Sequence, residues 1–503
     1  MTASKRYLYL ITFISGMCVM AIELTASRIM APYFGTSHYI WTNIIAVILA
    51  ALAIGYAVGG RLSERSPKLE TLLGIIMVAS VFLLIVPVVL PAFGNMAFTT
   101  FLQTKSPIFS ILLQSFIAMM MVFFIPIMLL GMVSPFVIKL MSIGEQAMGD
   151  VSGRIFAIGT IGSFLGTFIP AIITIPTIGS RRTIVLFALI MFLTAAFGMM
   201  RKRYFLALIP FALSGVDGNL STISNGTLLE ARETPYQLVK VVEREDGLRF
   251  LQFNESTAIQ SVYFPRRLAV TSTYYDVLTY IPELVTARPF SVLNIGLAGG
   301  TVARNIKDLY GDQSRVIGVE IDPDVVSLGK KYLALGKPGI EIHTEDGRMF
   351  LKASGEKYDV IILDAYANQL MIPFHLATRE FFELVRQHLA PGGIVAMNVN
   401  DIGEEGRIVQ SIGRTAREVF PDVQIAHMSS ALNYLLLVGD EVHAERMAKT
   451  AIGPEAMRKN AKESAAQLHE YRPEKGTVLT DDRAPIEQMT DSMIWRYYRG
   501  ETK

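Results

Sequence analysis

The fold is decided by the stretch SVLNIGLAGGTVARNI, residues 291–306. Residues 291–295 are mostly apolar and have the pattern of a buried strand, and the apolar residues from Val302 onwards have helical spacing. The loop between them contains three glycines, Gly296, Gly299 and Gly300. Glycines let the backbone approach a ligand closely, and the first turn of a helix presents free N–H groups to it. The stretch therefore predicts a strand, a ligand-binding loop and a helix, although the loop alone has low specificity.

Each of the next three predicted strands also ends in a polar loop. The strands lie at residues 316–319, 340–343 and 358–363. The acidic residues that follow them are, in order, Glu320 and Asp322, Asp346 beside Gly347, and Asp364. Strands that alternate with helices predict a parallel sheet, whose strands end at one edge, where ligands bind. The C-terminal half is therefore predicted to be a Rossmann-like α/β domain of the class I methyltransferase-like type.

The order of these acidic residues favours a nucleoside ligand. Glu320 lies about 20 residues beyond the glycine loop, where a carboxylate can accept both ribose hydroxyls. Asp346 can accept from the exocyclic amine of adenine. For Asp322 or Asp346 taken alone, a helix cap or a solvated loop charge is an equally good interpretation. A dinucleotide site is the second choice, because the loop lacks G-x-G-x-x-G spacing and the acids after the next two strands would have no role.

The N-terminal part has the composition of a membrane domain. Hydrophobic residues make up 51% of the chain and charged residues 18%, which is more apolar than a soluble protein of this length would be. Residues 1–216 carry 14 Lys and Arg against 5 Asp and Glu, out of chain totals of 46 and 44. This basic excess lies mostly in short loops between apolar runs, which is typical of a membrane topology signal rather than of nucleic-acid binding.

Apolar runs of about 20 residues can cross the hydrocarbon core as helices. About seven are predicted, at residues 8–30, 40–62, 71–92, 108–131, 153–177, 183–200 and, as a short segment, 204–216. Lys and Arg in the loops favour a cytoplasmic N-terminus in the inner (plasma) membrane. Because an odd number of spans would export the nucleoside-binding half, the seventh segment is interpreted as re-entrant or interfacial. The C-terminal half is then expected in the cytoplasm.

These patterns divide the chain into three parts. They are a transmembrane helical domain at residues 1–216, a small β region at 228–285 and the Rossmann-like domain at 286–503. The first apolar run is longer than a signal-peptide core and lacks a small-residue cleavage pattern, so we expect it to be retained as an anchor. The single cysteine, Cys18, excludes an internal disulfide and a cysteine-based metal site.

The C-terminal half resembles the spermidine synthase family of polyamine aminopropyltransferases, and more closely its membrane-fused bacterial members. The similarity runs over residues 233–487 and is carried by the glycine loop and four further motifs. These motifs are Val319-Glu320-Ile321-Asp322, Glu345-Asp346-Gly347, Tyr358-Asp359-Val360-Ile361-Ile362 with Asp364, and Pro391-Gly392-Gly393. The resemblance implies a nucleophilic displacement at carbon without a metal, with decarboxylated S-adenosylmethionine as donor and methylthioadenosine as product. The partners expected are the lipid bilayer, a small-molecule amine or polyamine, and a second copy of the chain in a dimer.

The resemblance also assigns roles to individual residues. Asp364 takes the place of the family's base, which removes a proton from the attacking amine. The donor is expected to contact Gly296, Gly299, Gly300, Glu320, Asp322, Asp346 and Gly347. The acceptor pocket is expected to be lined by Tyr236, Gln237, Gln260, Tyr275, Asp276 and Tyr434. Of the acceptor residues, Tyr275 is the best placed by alignment.

Two positions depart from the family's pattern. Gly299 stands where the family has an Asp that binds the donor's amine, and residues 364–369 lack the family's second Asp followed by Pro. S-adenosylmethionine with its carboxylate intact would tolerate the loss of an acid near it, so both donors stay open. Methyl transfer, cleavage of S-adenosylmethionine without an acceptor, and a transporter or sensor that binds without turnover also stay open. Asp481 and Asp482, in a polar turn at residues 479–485, are expected to cap a helix or to tie domains together.

Overall fold

The computed structural model describes residues 4–34, 38–100, 107–142, 148–199, 226–254, 258–265, 268–367, 370–428 and 432–499. The chain divides into two compact units, Met1–Ser221 and Thr222–Lys503. The predicted seventh span at residues 204–216 lies outside the described residues.

The first unit is helical wherever it is described. Its helices are α1 (Lys5–Phe34), α2 (His38–Arg65), α3 (Leu69–Thr100), α4 (Pro107–Gly131), α5 (Val133–Ser142), α6 (Met148–Ile169), α7 (Ile175–Ile178) and α8 (Ser180–Met199), and a π-helical turn, Pro170–Thr174, joins α6 to α7. In the described part of the chain, six stretches are long and apolar enough to cross a membrane: Lys5–Ala31, Ile40–Arg65, Leu69–Leu90, Leu112–Ser142, Met148–Ile178 and Ser180–Met199. These stretches overlap the first six predicted spans, so the all-α N-terminal fold is confirmed.

Close helix contacts hold this first unit together. Helices α1 and α6 approach so closely that a Cβ added at Gly162 would lie 2.1 Å from the carbonyl oxygen of Phe13. Small residues allow such close approach. In an apolar environment, burial of nonpolar surface does little to select which helices pack together, so this close packing matters more. A polar link joins α2 to α4, since Nδ2 of Asn43 donates to Oγ of Ser115 at 2.7 Å.

The second unit contains two sheets. The smaller is antiparallel and consists of β1 (Thr227–Glu233), β2 (Leu238–Glu243), β3 (Arg249–Phe253) and β4 (Ile259–Tyr263), in that order. The larger contains β5 (Phe290–Ile295), β6 (Ser314–Glu320), β7 (Ile340–Thr344), β8 (Tyr358–Leu363), β9 (Leu389–Asn400), β10 (Asp422–His427), β11 (Asn433–Gly439) and β12 (His469–Glu470). Within the described residues its order is β12-β10-β11-β9-β8-β5-β6-β7. The strands from β9 to β7 run parallel, whereas β10 and β11 form an antiparallel edge.

Helices cover both faces of the larger sheet. They are α9 (Tyr274–Thr279), α10 (Thr301–Tyr310), α11 (Pro323–Tyr332), α12 (Gly347–Ala353), α13 (Arg379–Gln387), α14 (Arg407–Arg417), α15 (Ala444–Ala448), α16 (Glu455–Gln467) and α17 (Ile486–Tyr498). Alternate residues of a strand point to opposite faces, so Leu293 of β5 packs with α13, α14 and α17, whereas Val292 packs with α9, α10 and α16. A parallel sheet between two helical layers confirms the predicted Rossmann-like α/β fold.

Candidate active site

The parallel strands bring the predicted donor and base residues to one edge of the larger sheet. Strand β5 ends in the glycine loop, β6 ends at Glu320, and β8 is followed directly by Asp364. Asp346 follows the edge strand β7 and begins α12. Because neighbouring strands are paired in parallel register, all four loops leave the sheet on the same side.

The glycine loop is held against the small sheet. Gly296 and Gly300 have positive φ angles of 87° and 79°, which glycine adopts without strain. The backbone N–H of Gly299 donates to Oγ of Ser261 at 2.8 Å. A Cβ added at Gly299 would lie 2.8 Å from Cβ of Ser261 and 2.9 Å from a side-chain carbon of Leu333. The loop therefore has no room for a larger residue at position 299 unless these neighbours move.

Glu320 is buried at the end of β6, with 8% of its surface exposed. Its Oε2 accepts from the backbone N–H of Ala298 at 2.8 Å, and its Oε1 accepts from that of Asp322 at 3.2 Å. Burial raises the pKa of Glu320 to about 7, and these backbone hydrogen bonds oppose the shift. The carboxyl is thus fixed beside the glycine loop, with lone pairs left over for ligand hydroxyls.

Both side-chain oxygens of Asp322 accept hydrogen bonds from within the fold. Its side chain is fully buried. Oδ1 accepts from the backbone N–H of Asp324 at 2.9 Å and so caps α11, while Oδ2 accepts from the hydroxyl of Thr234 at 2.6 Å. Burial raises the pKa of this carboxyl. Asp322 therefore joins α11 to the turn after β1, which matches the helix-cap interpretation of this acid.

Asp346 caps the next helix and is also paired with a histidine. Its Oδ1 accepts from the backbone N–H groups of Arg348 and Met349, both at 3.0 Å. Its Oδ2 lies 2.9 Å from Nε2 of His375. The hydrogen bond with His375 holds the pKa of Asp346 below its ordinary value. Gly347 lies against β5, because a Cβ there would be 2.3 Å from a methyl carbon of Ile295.

Asp364 is part-buried and is held by side chains from other elements. Nδ2 of Asn398, on β9, donates to its Oδ1 at 2.9 Å. The phenol of Tyr274, on α9, also donates to this carboxyl. Burial raises the pKa of Asp364 to about 7, although both hydrogen bonds oppose the shift. A carboxyl of this kind can exchange a proton near neutral pH.

A second amide orients Asn398. Nδ2 of Asn433 donates to Oδ1 of Asn398 at 2.9 Å and to Oδ1 of Asn400 at 2.6 Å. The antiparallel register pairs Asn433 with Asn400, so the three amides share one face of the sheet. With its oxygen occupied in this way, Asn398 presents its N–H group to Asp364.

Of the predicted acceptor residues, three lie on the small sheet and the turn after β1. Tyr236 is 46% exposed. Partial burial raises its pKa, and so do the carboxylates of Asp322, Asp346 and Glu320, which puts Tyr236 near the donor residues. Gln237 belongs to the same turn, where its carbonyl oxygen accepts from the N–H of Thr234 at 2.9 Å. Gln260 lies on β4, next to the Ser261 that contacts the glycine loop.

The other three predicted acceptor residues are engaged within the fold. The hydroxyl of Tyr275 donates to the carbonyl oxygen of Ile259 at 2.9 Å. Asp276 is fully buried and accepts from the N–H groups of Thr271 and Ser272 at 3.0 and 2.7 Å. The ring of Tyr434 is buried against that of His427, with centroids 5.0 Å apart.

Tyr274 and Asn398, which hydrogen-bond to Asp364, were not predicted from the sequence. Tyr274 adjoins the predicted acceptor residue Tyr275, and Asn398 lies near the end of a strand that the site prediction does not use. The sequence did contain a signal for both residues, because a phenol and an amide can donate hydrogen bonds to a carboxylate and both lie next to predicted site elements. Within the described residues, no group of three or more His, Cys, Asp and Glu side chains could hold a metal ion.

The second unit is similar in sequence to known proteins. Residues 271–434 match the spermine/spermidine synthase domain family. The chain is 32% identical over 276 residues to a probable polyamine aminopropyl transferase of Bifidobacterium longum, which covers 51% of this chain and 60% of that protein. It is also 32% identical over 193 residues to the polyamine aminopropyltransferase of Vibrio vulnificus, covering 35% of this chain and 60% of that protein. The match therefore spans less than two thirds of each of these curated relatives.

One solved structure that is similar to part of this chain comes from another bacterium. A probable spermidine synthase from Corynebacterium glutamicum aligns with a TM-score of 0.38 at 19% identity, covering 50% of this chain and 99% of that one. The family match lies wholly within the second unit and contains the ends of β5, β6, β7, β8 and β9. The second unit of this chain is therefore similar in sequence to the spermine/spermidine synthase domain family over residues 271–434.

Proposed function

We propose that the protein transfers an aminopropyl group from an S-adenosyl sulfonium donor to a small amine or polyamine, and releases methylthioadenosine. The observation that carries this proposal is the environment of Asp364. Its carboxyl lies at the sheet edge that carries the glycine loop. It accepts hydrogen bonds from Asn398 and Tyr274 and has a pKa of about 7. The similarity of residues 271–434 to the spermine/spermidine synthase domain family supports the same reaction class.

The donor half of the proposal rests on the loops after β5, β6 and β7. Glu320 lies beside the glycine loop, where its remaining lone pairs can accept from ribose hydroxyls. The Oδ2 atom of Asp346 can accept from the adenine amine, which would share this oxygen with His375. Tyr236 is exposed near these three elements and can cover the bound nucleoside.

The chemical step is a displacement at carbon. The nitrogen lone pair of the acceptor attacks the CH₂ group bonded to the sulfonium, and the carbon–sulfur bond breaks. Both electrons of that bond go to sulfur, which leaves as the neutral thioether of methylthioadenosine. At neutral pH the acceptor binds as an ammonium, so ionised Asp364 must first accept a proton from it to free this lone pair, and the product nitrogen leaves as a secondary ammonium. Before the proton transfer, the same carboxylate can hold and orient the ammonium.

A second candidate donor is S-adenosylmethionine with its carboxylate intact, from which the group transferred would be 3-amino-3-carboxypropyl rather than aminopropyl. No acidic side chain fits at position 299, because Ser261 and Leu333 occupy that space. The charged side chain beneath the loop is Arg304, which is 2% exposed and donates to the carbonyl oxygens of Val262 and Leu333, both at 2.6 Å. Burial lowers the pKa of Arg304 to about 10, so it is charged at neutral pH. A cation beneath the loop favours the donor that keeps its carboxylate over the decarboxylated donor, whose net charge is more positive by one unit.

The test is identification of every nucleoside product formed by the purified full-length protein. Each donor is supplied with and without putrescine, and Asp364→Asn is the matched control. Methylthioadenosine that requires the amine supports the proposal. Adenosylhomocysteine would instead show methyl transfer, and methylthioadenosine formed without an amine would show cleavage of the donor. Donor binding with no product would indicate a sensor or transporter.

The proposal includes a location. The six apolar stretches of the first unit would anchor the enzyme in the cell inner membrane, with the second unit in the cytoplasm, where nucleoside donors and polyamines are available. Protease protection of the second unit in sealed spheroplasts, and its loss after lysis, is the expected result. Cleavage of the second unit in intact spheroplasts would contradict this orientation.

A further inference from the structure

A cavity of about 460 Å³ lies between the start of α14 and the turn that precedes α17. Its polar lining consists of Arg407, Thr477, Arg483 and Gln488, and Pro485 and Met489 provide an apolar wall. None of these residues belongs to the candidate active site. Among the described residues, no carboxylate lines the cavity.

The two arginines of this cavity differ from the others of the second unit. The guanidinium of Arg348 pairs with Asp481 at 2.6 Å, and those of Arg414 and Arg458 donate to backbone carbonyls at 2.8 and 2.9 Å. The guanidinium of every other described arginine of the unit outside the cavity likewise has a partner, which is a carboxylate, a backbone carbonyl or another group. Within the described residues, only the guanidiniums of Arg407 and Arg483 lack one. Both are exposed residues that line the same cavity, so an anion there could be reached by two cationic side chains that no other described group engages.

The backbone on both sides of the cavity is fixed. The segment before the turn is held on α14, because the N–H of Leu479 donates to the hydroxyl of Thr415 at 2.8 Å. Asp481 anchors the turn itself, since it pairs with Arg348 and accepts from the hydroxyl of Thr378 at 2.7 Å. Arg407 is the first residue of α14. The two guanidiniums are therefore brought to one cavity by elements that other contacts already hold.

We infer that this cavity binds a small organic anion through a phosphate or carboxylate group. Guanidinium groups match the planar and tetrahedral oxyanions with two parallel N–H donors each. The hydroxyl of Thr477 and the amide of Gln488 can add neutral donors, and Pro485 and Met489 can contact the organic part of the ligand. The volume lies within the range of about 300–1,000 Å³ that is usual for small-molecule sites. A soluble phosphorylated compound and an anionic lipid headgroup share this chemistry.

The experiment is a calorimetric titration of the full chain with inorganic phosphate, in nanodiscs of phosphatidylcholine. We expect saturable binding that weakens as salt is added. Arg407→Gln and Arg483→Gln should each reduce the affinity roughly tenfold or more, the usual effect of losing a charge-assisted contact. The matched control is Arg472→Gln, because that exposed guanidinium pairs with Glu470 away from the cavity. It should bind phosphate as the unmodified chain does.

Two results would overturn the inference. One is the absence of saturable phosphate binding to the unmodified chain, and the other is equal binding by the Arg407 and Arg483 variants when their thermal midpoints are unchanged. Nanodiscs containing phosphatidylglycerol distinguish the two sources of anion. Lost phosphate binding in them identifies a lipid headgroup, whereas unchanged binding identifies a soluble anion. The assay needs no turnover, so its outcome does not depend on the proposed transfer reaction.

Discussion

Two acids at the same sheet edge, Asp322 after β6 and Asp364 after β8, have opposite surroundings. Asp322 is fully buried, and its oxygens accept from the backbone of its own helix and from Thr234. Asp364 is part-buried, and its side-chain partners Asn398 and Tyr274 come from elements distant in sequence. Both acids have a partner distant in sequence, but only Asp322 is fully buried and also caps its own helix, whereas Asp364 stays part-buried and is oriented by an amide and a phenol. The comparison teaches that position on the edge does not by itself assign a catalytic role.

The largest expected effect is that of Asp364→Asn. The amide keeps the shape of the side chain but cannot accept the proton, so kcat should fall roughly 10²- to 10⁴-fold. Donor affinity should stay within about threefold, because Glu320 and Asp346 are unchanged. Product formation and calorimetric donor binding measure the two quantities. A variant that retains the full rate would remove Asp364 from the mechanism and break the comparison.

The pH dependence of the unmodified enzyme tests the same carboxyl. Burial raises the pKa of Asp364 to about 7, and the protonated acid cannot act as the base. Activity should therefore be gained as pH rises through about 7, and kcat/KM should fall roughly tenfold per unit below it. At pH 5 the rate should be about a hundredfold below its plateau. A profile flat from pH 5 to 8, at saturating donor, would contradict this assignment.

The parts of this site that follow hydrophobic periodicity could be predicted from sequence. Mostly apolar runs mark β5, β6 and β8, and the residues after each run meet at the edge because parallel strands end together. Which side chain faces Asp364 could not be obtained in this way. Tyr274 and Tyr275 are neighbours on one helix, where successive residues point about 100° apart. Tyr274 reaches Asp364, whereas Tyr275 donates to Ile259.

The hydrogen bonds among the amides of Asn398, Asn400 and Asn433 could not be predicted for a different reason. Asn398 and Asn433 are brought together by the antiparallel register of β11 on β9, which depends on the packing of the whole edge. Composition and spacing contain no information about that register. Likewise, Oδ2 of Asp322 is occupied only because Thr234, in the turn after β1, meets the start of α11, whereas the cap made by Oδ1 could be expected from the sequence.

A smaller effect is expected from Asp322→Ala, and on stability rather than on chemistry. Loss of the α11 cap and of the hydrogen bond from Thr234 should cost about 1–2 kcal/mol of folding free energy. For a unit of this size, the apparent thermal midpoint should fall by about 2–6 °C. Thr234→Val removes the hydroxyl alone and should give about half of that decrease. Donor affinity should hardly change, so a large loss of affinity with an unchanged midpoint would make Asp322 a ligand-binding residue.

The smallest effect is expected from Asn433→Ala, which tests whether remote side chains control Asp364. Without Asn433, the Asn398 amide can rotate and lose its hydrogen bond to Asp364, a bond that lowers the pKa of that carboxyl. The pKa should then rise by roughly half a unit to one unit. At pH 7, kcat/KM should fall about twofold to fivefold and recover at pH 9, with donor affinity unchanged. Gln424→Ala is the control, because this β10 amide contacts Asp422 and Val442 instead. Because a merely structural role would lower activity equally at both pH values, only a shift of the pH profile supports control of the base by Asn433.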